Sequence, residues 1–367
     1  MRVTLEDVCE KGSSNLKQSD VINKTGAYPI YGAAGYLGNV DFYHQDKPYV
    51  AVVKDGAGIG RTTLHPAKSS VIGTMQYLLP KNNVLPEYLY YVVQYMHLEK
   101  YFTGATIPHI YFKDYKAEQF NLDAIERQKE IVVSLQKVET LIKARQQQLQ
   151  KLDELIKARF VELFGDMFLN SKAWEERPLD LLAEVVSGIT KGRKAKEPHL
   201  TEVPYMAVSN VKDGYIDWTT VKTIQATQQE IEQYRLLPDD VLMTEGGDPD
   251  KLGRGAILKE PLENCIHQNH IFRVRLNESL ILPTFFAEYL KHQKAKRYFL
   301  GCAKQTTGIA SINMRQLKAL PVLLPPLELQ VQFASFVKQV DKSKVAVQKS
   351  LDEAQLLFDS LMQQYFG

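Results

Sequence analysis

The sequence predicts an α+β protein in which two globular segments are each followed by a long helix. A repeat recurs at a fixed offset of 202 residues, and the repeated stretches carry apolar residues at helical spacing. The remaining segments mix strand-like and helix-like stretches without strict alternation, which favours α+β over a doubly wound sheet. The predicted segments are a first globular domain at residues 1–120, a helix at 121–165, a second globular domain at 166–324 and a helix at 325–367.

The repeat aligns residues 120–165 with residues 322–367 without a gap. Identical pairs in this alignment are Leu122/Leu324, Glu126/Glu328, Gln128/Gln330, Val138/Val340, Ala144/Ala346, Gln146/Gln348, Leu149/Leu351 and Leu155/Leu357. Both copies end in Phe-Gly. Self-similarity at a fixed offset indicates that one structural unit occurs twice in the chain.

Both copies are predicted to be long helices that pack on each other as an antiparallel coiled coil. Their apolar residues recur at alternating steps of three and four, as in a helix that buries one seam against another. Arg145 and Arg159 interrupt the seam of the first copy, and Lys344 interrupts that of the second. Gly and Pro are absent between Glu126 and Leu163 and between Glu328 and Phe366, so each helix would be roughly 55 Å long. The alternative is two unrelated amphipathic helices, each lying on its own domain.

The globular segments combine strands and helices. Stretches rich in β-branched and aromatic residues predict strands at Pro48–Val53, Val71–Leu79 and His270–Leu276. Stretches that begin with proline and continue with aromatic residues predict helices at Pro86–Lys100 and Pro283–Tyr298.

The composition predicts a cytoplasmic, soluble protein without a membrane segment. The sequence is 44% hydrophobic and 24% charged, as is typical of globular proteins. No apolar run approaches the ~20 residues that span a bilayer, and the first residues lack the apolar core of a signal peptide. Cys9, Cys265 and Cys302 are odd in number and far apart, so no disulfide framework is expected.

Motifs that carry catalysis are missing from the sequence. The stretch Asp55–Thr63 has glycines, but an aspartate and an arginine stand where a phosphate-binding P-loop needs Gly and Lys. It is better interpreted as a tight loop that presents Arg61 and Thr62 to a ligand. Cys265, His267 and His270 lie close together without a second cluster to complete a metal site. We therefore expect a binding protein without catalytic residues, metal or cofactor.

Several stretches, in the same order, resemble the specificity subunit of type I restriction–modification enzymes over the full chain. The stretches that carry the resemblance are Val203–Asp217, the glycine-containing loops Asp55–Thr63 and Glu245–Gly255, the closing motif Gly104–Tyr115, and Leu320–Gln330 at the entry to the second helix. The first copy departs from the family pattern, because Asp123-Ala124 replaces the pair Pro325-Pro326.

The resemblance implies a function and a set of partners. Each globular segment would read one half of a bipartite, asymmetric site on double-stranded DNA. The helix pair would set the distance between the half-sites and dock two modification subunits, which methylate adenine with S-adenosylmethionine. Restriction subunits that use ATP and Mg would complete the complex. No catalysis would reside in this chain.

The candidate DNA-binding residues are loop side chains that can donate to phosphates or base edges. In the first domain they are Lys54, Arg61, Thr62, Lys68, His109 and Lys113. In the second they are Lys191, Arg193, Lys194, Ser209, Asn210, Lys212, Lys251, Arg254, Gln268, Asn269 and Lys304. Tyr36, Tyr43 and Tyr111 could also contact DNA, although tyrosines are more often core or interface residues. The net charge of +2 alone does not indicate a nucleic-acid partner.

Three residues off the shared seam, Leu141, Leu155 and Phe160, are predicted to contact the modification subunits. The alternative is that they are buried against the chain's own domains. The rival function is a non-catalytic coiled-coil adaptor with two ligand-binding lobes. Salt-dependent retention on DNA would separate the two functions. A solitary methyltransferase or nuclease is disfavoured by the missing motifs.

Overall fold

A computed structural model describes residues 1–104, 108–192, 199–248, 252–306 and 309–367. The chain forms two compact units. Unit 1 contains Met1–Gln148 and Val347–Gly367, and unit 2 contains Leu149–Ala346. Each unit consists of one globular lobe and a part of both long helices. We call residues 1–124 the first lobe and residues 165–326 the second lobe. Among the described residues, no helix is long and apolar enough to cross a membrane.

The first lobe begins the chain and leads into the first long helix. Its strands are β1 (Arg2–Thr4), β2 (Cys9–Ser13), β3 (Tyr28–Gly32), β4 (Gly35–Val40), β5 (Tyr49–Val53), β6 (Thr62–His65), β7 (Ser70–Val71), β8 (Met75–Pro80) and β9 (Gln119–Asn121). Its helices are α1 (Leu5–Val8), α2 (Pro86–Tyr95) and α3 (Phe112–Tyr115), and the long helix α4 (Ile125–Phe164) follows.

The second lobe lies between the two long helices in sequence. Its strands are β10 (Glu175–Pro178), β11 (Ala183–Ser187), β12 (Thr201–Met206), β13 (Lys222–Ala226), β14 (Val241–Thr244), β15 (Gly246–Gly247), β16 (Gly255–Ile257), β17 (Ile266–His267), β18 (Ile271–Leu276), β19 (Lys304–Thr306), β20 (Ile309–Ser311) and β21 (Pro321–Leu324). Its helices are α5 (Gln228–Tyr234), α6 (Pro283–Lys291), α7 (Gln293–Cys302) and α8 (Met314–Lys318), and α9 (Leu327–Phe366) follows.

The two lobes have the same sheet topology. A four-stranded antiparallel sheet has the order β2-β8-β5-β6 in the first lobe and β11-β18-β14-β16 in the second. A second sheet has the order β4-β3-β7 and β13-β12-β17, with a parallel last pair in both lobes. The second lobe adds a sheet of order β15-β20-β19. The duplication predicted from the helices therefore extends through the lobes.

The apolar sequence of β5 is explained by burial on both faces. All five residues of β5 are buried. Val50 and Val52 pack in one cluster with residues of α2, whereas Tyr49, Ala51 and Val53 pack in another cluster with Tyr77. Successive side chains of a strand point to opposite faces, so a strand covered on both sides reads as a continuous apolar run.

The two long helices run antiparallel within each unit, which confirms the predicted helix pair. Each helix has 40 residues, which gives a length of about 60 Å. The two helices begin 202 residues apart. In unit 1, Nε of Arg145 donates to Oγ of Ser350 at 3.1 Å. In unit 2, Lys344 forms an ion pair with Asp153, and the Phe160 and Phe333 rings lie 5.3 Å apart. The charged residues that interrupt the seam thus find partners on the opposite helix.

A buried glutamine joins each long helix to its lobe. Gln128 accepts a hydrogen bond from the amide of Leu85, at the start of α2, and donates to the carbonyls of Asn83 and Asp123 at 2.9–3.0 Å. Gln330 makes the same three bonds in the second lobe, to the backbone of residues 282, 280 and 325. Both side chains are fully buried. The two glutamines are the same residue in the repeat, and they form the same joint between a long helix and its lobe.

Three of the predicted elements are shorter than expected. The predicted helix Pro86–Lys100 ends at Tyr95, and His97 beyond it has a left-handed backbone with φ +51°. The stretch Val71–Leu79 is interrupted between β7 and β8, where the Tyr77 hydroxyl accepts a hydrogen bond from the Val71 amide. The predicted helix Pro283–Tyr298 is divided at His292, whose extended backbone (ψ 153°) ends α6 and whose side chain accepts from the Lys294 amide at the start of α7. One residue with extended backbone leaves the spacing of the apolar residues almost unchanged, so the sequence pattern does not predict such a break.

We expect Gln128→Ala to lower the free energy of unfolding of unit 1 by about 2–3 kcal/mol, because it leaves the Leu85 amide without its acceptor. Gln330→Ala should have the same effect on unit 2. Urea denaturation would measure both losses. Gln136→Ala and Gln339→Ala are matched controls on exposed positions of the same helices and should change stability by less than about 0.5 kcal/mol. Equal losses in buried and exposed variants would contradict the role of the joint.

Candidate functional site

The loop between β5 and β6, residues 54–61, is a tight glycine turn that we call the first glycine loop. Gly56, Gly58 and Gly60 all have φ between +80° and +83°. A Cβ on Gly60 would lie 2.5 Å from the Glu99 amide nitrogen, so a side chain cannot be accommodated there. The Gly60 amide donates to the Val53 carbonyl at 2.9 Å. The glycines predicted to permit a tight loop therefore do so.

A segment near the end of the first lobe closes onto this loop. The Ile110 amide donates to the Lys54 carbonyl and the Gly56 amide donates to the Pro108 carbonyl, both at 3.0 Å. Nδ1 of His109 lies 2.7 Å from Asp55 Oδ1, and Nζ of Lys54 lies 3.0 Å from the other carboxylate oxygen. Lys54 and His109, which are distant in sequence, thus meet at one carboxylate on the rim of the loop.

The second lobe repeats this arrangement in a second glycine loop, residues 245–254, of which 249–251 lie outside the described residues. The Ile312 amide donates to the Glu245 carbonyl at 2.9 Å, and Ile312 aligns with Ile110 in the repeat. Nδ1 of His270 lies 2.6 Å from Oε2 of Glu245. Gly246 and Gly247 pair with β20, which in turn pairs with β19.

Arg61 and Arg254 occupy equivalent positions in the two loops. Thr62 pairs with Val52 and Gly255 pairs with Met243 in the matching sheets, so each arginine immediately precedes its outer strand. The Arg61 carbonyl accepts from Val53 at 2.9 Å, and the Arg254 carbonyl accepts from Thr244 at 3.4 Å. The preceding Gly60 and Gly253 have φ of +80° and +75°.

These arginines offer donors to a ligand. Neither has an acidic partner in the part of the chain that the structure describes. Nη2 of Arg61 donates to the Ala33 carbonyl at 2.8 Å, which leaves its other N–H groups available. A guanidinium has five donors in a planar fork that matches phosphates and base edges. Their spacing is 193 residues rather than 202, so the gapless alignment does not reveal that they correspond.

The grouping of Cys265, His267 and His270 is structural. Burial raises the pKa of the Cys265 thiol to about 12 and lowers the pKa of His267 to about 4. The His267 ring nitrogens lie 3.1 and 3.3 Å from the carbonyls of Tyr234 and Val186, while His270 pairs with Glu245. Among the described residues, no group of three or more His, Cys, Asp or Glu side chains could hold a metal ion.

Comparison with known proteins places the chain in a family. The family described as "Type I restriction modification DNA specificity domain" matches residues 1–154 and 171–354, which is most of the chain and includes both glycine loops. The chain belongs to this family of type I restriction–modification specificity domains. The duplicated lobes therefore correspond to two matches of one specificity domain.

Relatives and solved structures agree with this assignment. A putative type I restriction enzyme MjaX specificity subunit from Methanocaldococcus jannaschii is 30% identical over 53% of this chain and 45% of its own length. The EcoKI specificity subunit from Escherichia coli is 24% identical over 44% of this chain and 35% of its own length. The matched region therefore spans less than half of either relative. The crystal structure of an S subunit from M. genitalium has the same fold, with a TM-score of 0.61 at 16% identity, and covers 100% of this chain and 96% of its own.

Within the first specificity domain, four of the six predicted binding residues lie together, and the other two lie elsewhere. Lys54, Arg61, Thr62 and His109 gather at the first glycine loop, where the Thr62 hydroxyl donates to the Gly60 carbonyl at 3.2 Å. Lys68 is exposed in the turn between β6 and β7, with φ +54°. The Lys113 ammonium lies over the Tyr111 ring at 5.4 Å, beside His109.

Within the second specificity domain, Arg254 and Lys304 belong to the second glycine loop and its associated sheet. The Gln268 side chain accepts from the Val208 amide at 3.4 Å, and Lys212 lies 3.9 Å from Asp217. The Asn269 carbonyl accepts from the Ser187 hydroxyl, and Lys191 and Ser209 are exposed. The predicted residues Arg193, Lys194 and Lys251 lie outside the described residues.

The prediction that Asn210 contacts a ligand needs correction. Its side chain is 3% exposed. Its amide donates to the carbonyls of Asp217 and Thr220, and its oxygen accepts from the Ala207 amide. Since both amide hydrogens are used inside the loop, Asn210 shapes the connection between β12 and β13 and cannot donate to a ligand.

The prediction that Phe160 contacts a partner subunit is also wrong. Phe160 is 2% exposed and its ring packs on Phe164, Phe285 and Phe333 in the core of unit 2. Besides the seam, the C-terminal part of α4 buries a second face against the second lobe, which the heptad pattern does not reveal. Leu141 and Leu155 are 38% and 46% exposed, so they remain candidates for partner contacts.

Proposed function

We propose that this chain is the non-catalytic subunit that reads DNA sequence in a type I restriction–modification complex. Each lobe binds one half of a bipartite site on double-stranded DNA. Modification subunits that carry S-adenosylmethionine methylate adenine in that site, and restriction subunits that use ATP and Mg complete the complex in the cytoplasm. Family membership supports the assignment, and the twofold occurrence of one loop supports the division of the site into halves.

The single observation that carries the proposal is the equivalence of the two glycine loops. Each lobe presents one arginine that has no acidic partner among the described residues, held by the same backbone hydrogen bond at the same edge of the same sheet. A good bidentate contact from arginine to guanine contributes about 1–3 kcal/mol of discrimination. Two such loops on one chain suit a site with two separately read parts better than a single continuous one.

The two long helices are the proposed docking surface for modification subunits. Leu155 and Leu357 are identical positions of the repeat, and they are 46% and 49% exposed. One lies in unit 2 and the other in unit 1. Because equivalent surfaces carry the same residue at nearly the same exposure, we propose that two copies of one partner bind, one at each leucine.

Mapping of adenine methylation by long-read sequencing tests the DNA-reading function. In a host that expresses this chain with its modification subunit, we expect a methylated two-part motif with a fixed gap, absent when the chain is omitted. Arg61→Ala should relax the sequence preference in one half of the motif, and Arg254→Ala in the other, with a loss of affinity of about tenfold or more.

The controls for this experiment are Arg2→Ala, an exposed arginine on β1, and Arg177→Ala, a partly exposed arginine on β10 that pairs with Glu175; both should leave the motif unchanged. An assembled complex that yields no new motif would contradict the proposal. In that case a chain that binds without salt dependence would instead favour a coiled-coil adaptor.

Leu155→Glu and Leu357→Glu test the docking surface. Each should remove one copy of the modification subunit, because burying a carboxylate in an apolar contact is unfavourable. The mass of the complex in solution would show one bound copy for each single variant and none for the double variant. Gln136→Glu adds the same charge at an exposed position of α4 and should leave two copies bound. A folded double variant that still binds two copies would refute the assignment.

A further inference from the structure

The first lobe carries an exposed tyrosine on a hairpin beside its glycine loop. Gly35 has φ +115° and begins β4, and Tyr36 follows it with 61% of its surface exposed. The hairpin is tied to the loop because Arg61 donates to the Ala33 carbonyl at 2.8 Å. The Tyr36 hydroxyl donates to Asn39 Oδ1 at 3.0 Å, which holds the ring in place.

The second lobe carries a comparable tyrosine beside its own glycine loop. Gly214 has φ +84°, and Tyr215 follows it with 59% of its surface exposed. The turn is closed by the bond from the Lys212 amide to the Tyr215 carbonyl at 3.0 Å. The Gly214 amide donates to the Gly255 carbonyl at 3.0 Å, and Gly255 directly follows Arg254.

The two tyrosines occupy comparable places in the fold, although the sequence does not align them. Tyr36 is the second residue of β4 and pairs with Tyr31 of β3, whereas Tyr215 lies in the connection between β12 and β13. The β3–β4 turn and the β12–β13 connection are each bonded to a residue at the start of the outer strand of the larger sheet, Arg61 and Gly255 respectively. The separation of Tyr36 from Tyr215 is 179 residues, against 202 for the helices. Each lobe thus has a Gly-Tyr pair in the segment that is bonded to the start of its outer strand.

A large aromatic side chain that stays exposed beside unpaired donors is typical of a binding surface. Tyrosine supplies a rigid contact area with few rotatable bonds. For Tyr36 the hydroxyl is already bonded to Asn39, so the free part is the ring. An apolar ring face packs against thymine methyl groups and sugars in the DNA grooves.

We infer that Tyr36 and Tyr215 are both specificity residues, each placing its ring against the half-site of its own lobe. This inference rests on the proposed function and adds residues to it. Together with Arg61 and Arg254, each lobe then has a donor and an aromatic contact on neighbouring segments.

The surroundings of Tyr215 favour a polyanion over an apolar protein partner. Tyr215 lines an open cleft of about 1220 Å³ in unit 2. Six lysines and four carboxylates (Asp153, Asp213, Glu288 and Asp341) also line it. Among these lysines, Lys157, Lys338 and Lys342 have no acidic partner within the described ranges. Lysines in such a cleft attract phosphates through a salt-dependent interaction.

The experiment uses the assembled complex with the modification subunit and three duplexes. One duplex has the two-part site identified by methylation mapping, and the others have one half scrambled, the halves being assigned by Arg61→Ala and Arg254→Ala. Fluorescence anisotropy gives affinities for Tyr36→Ala, Tyr36→Phe, Tyr215→Ala and Tyr215→Phe. Ile22→Ala and Leu181→Ala, which truncate side chains that are 62% and 64% exposed in the two lobes, are the controls.

Tyr36→Ala should lower affinity for the intact site about tenfold, and the loss should disappear when the first half is scrambled. Tyr215→Ala should behave in the same way for the second half. The phenylalanine variants and the two controls should stay within about twofold, since the ring makes the contact. Alanine variants that bind like the controls, or phenylalanine variants that lose as much as alanine, would overturn the inference.

The proposed function and the inference fail in distinguishable ways. If the unsubstituted complex shows no preference among the three duplexes, the proposed function fails. If it prefers the intact site but Tyr215→Ala loses the modification subunit and keeps the DNA preference, Tyr215 contacts protein, and only the inference is overturned.

Discussion

At the start of each long helix, a glutamine side chain is buried and bonded to three backbone groups of its own lobe. A buried amide that lost these partners would leave polar groups without hydrogen bonds, at a cost of about 1–3 kcal/mol each. The bonds also fix the N-terminus of α2 and of α6, the helices that cover the larger sheet. Because Gln128 and Gln330 make the same bonds, each lobe joins its helix in the same geometry.

The strands at the two ends of each lobe complete this joint and separate it from the binding loops. β1 pairs with β9 and β10 pairs with β21, immediately before each long helix. The glycine loops and the Gly-Tyr hairpins lie between these paired ends in sequence. Their lengths differ between the lobes, yet the sheets they connect have the same order. A constant joint therefore supports loops that can differ in length and in side chains, as the proposed recognition of two different half-sites requires.

Much of the fold follows from sequence patterns, since the apolar seam and the gapless offset predict both helices and their pairing. Sequence patterns fail to predict the role of a residue where that role depends on its tertiary contacts. Phe160 lies off the seam but belongs to the lobe core, and Asn210 is polar and lies in a loop, yet both its amide hydrogens are used internally. Loop chemistry identifies Arg61 and Arg254 only one at a time. Their correspondence depends on sheet register, which loops of unequal length conceal in the sequence.

A chain in which both lobes are the first lobe would test whether each lobe recognises its own half of the site. The bond from the Leu5 amide to the Glu118 carbonyl and the bond from the Leu179 amide to the Leu320 carbonyl are equivalent, both at 3.0 Å. Residues 179–320 can therefore be replaced by a second copy of residues 5–118. Methylation mapping of the assembled complex should give a two-part site in which both parts are the half read by the first lobe. A folded, assembled chimera that still methylates the original asymmetric site would contradict the account.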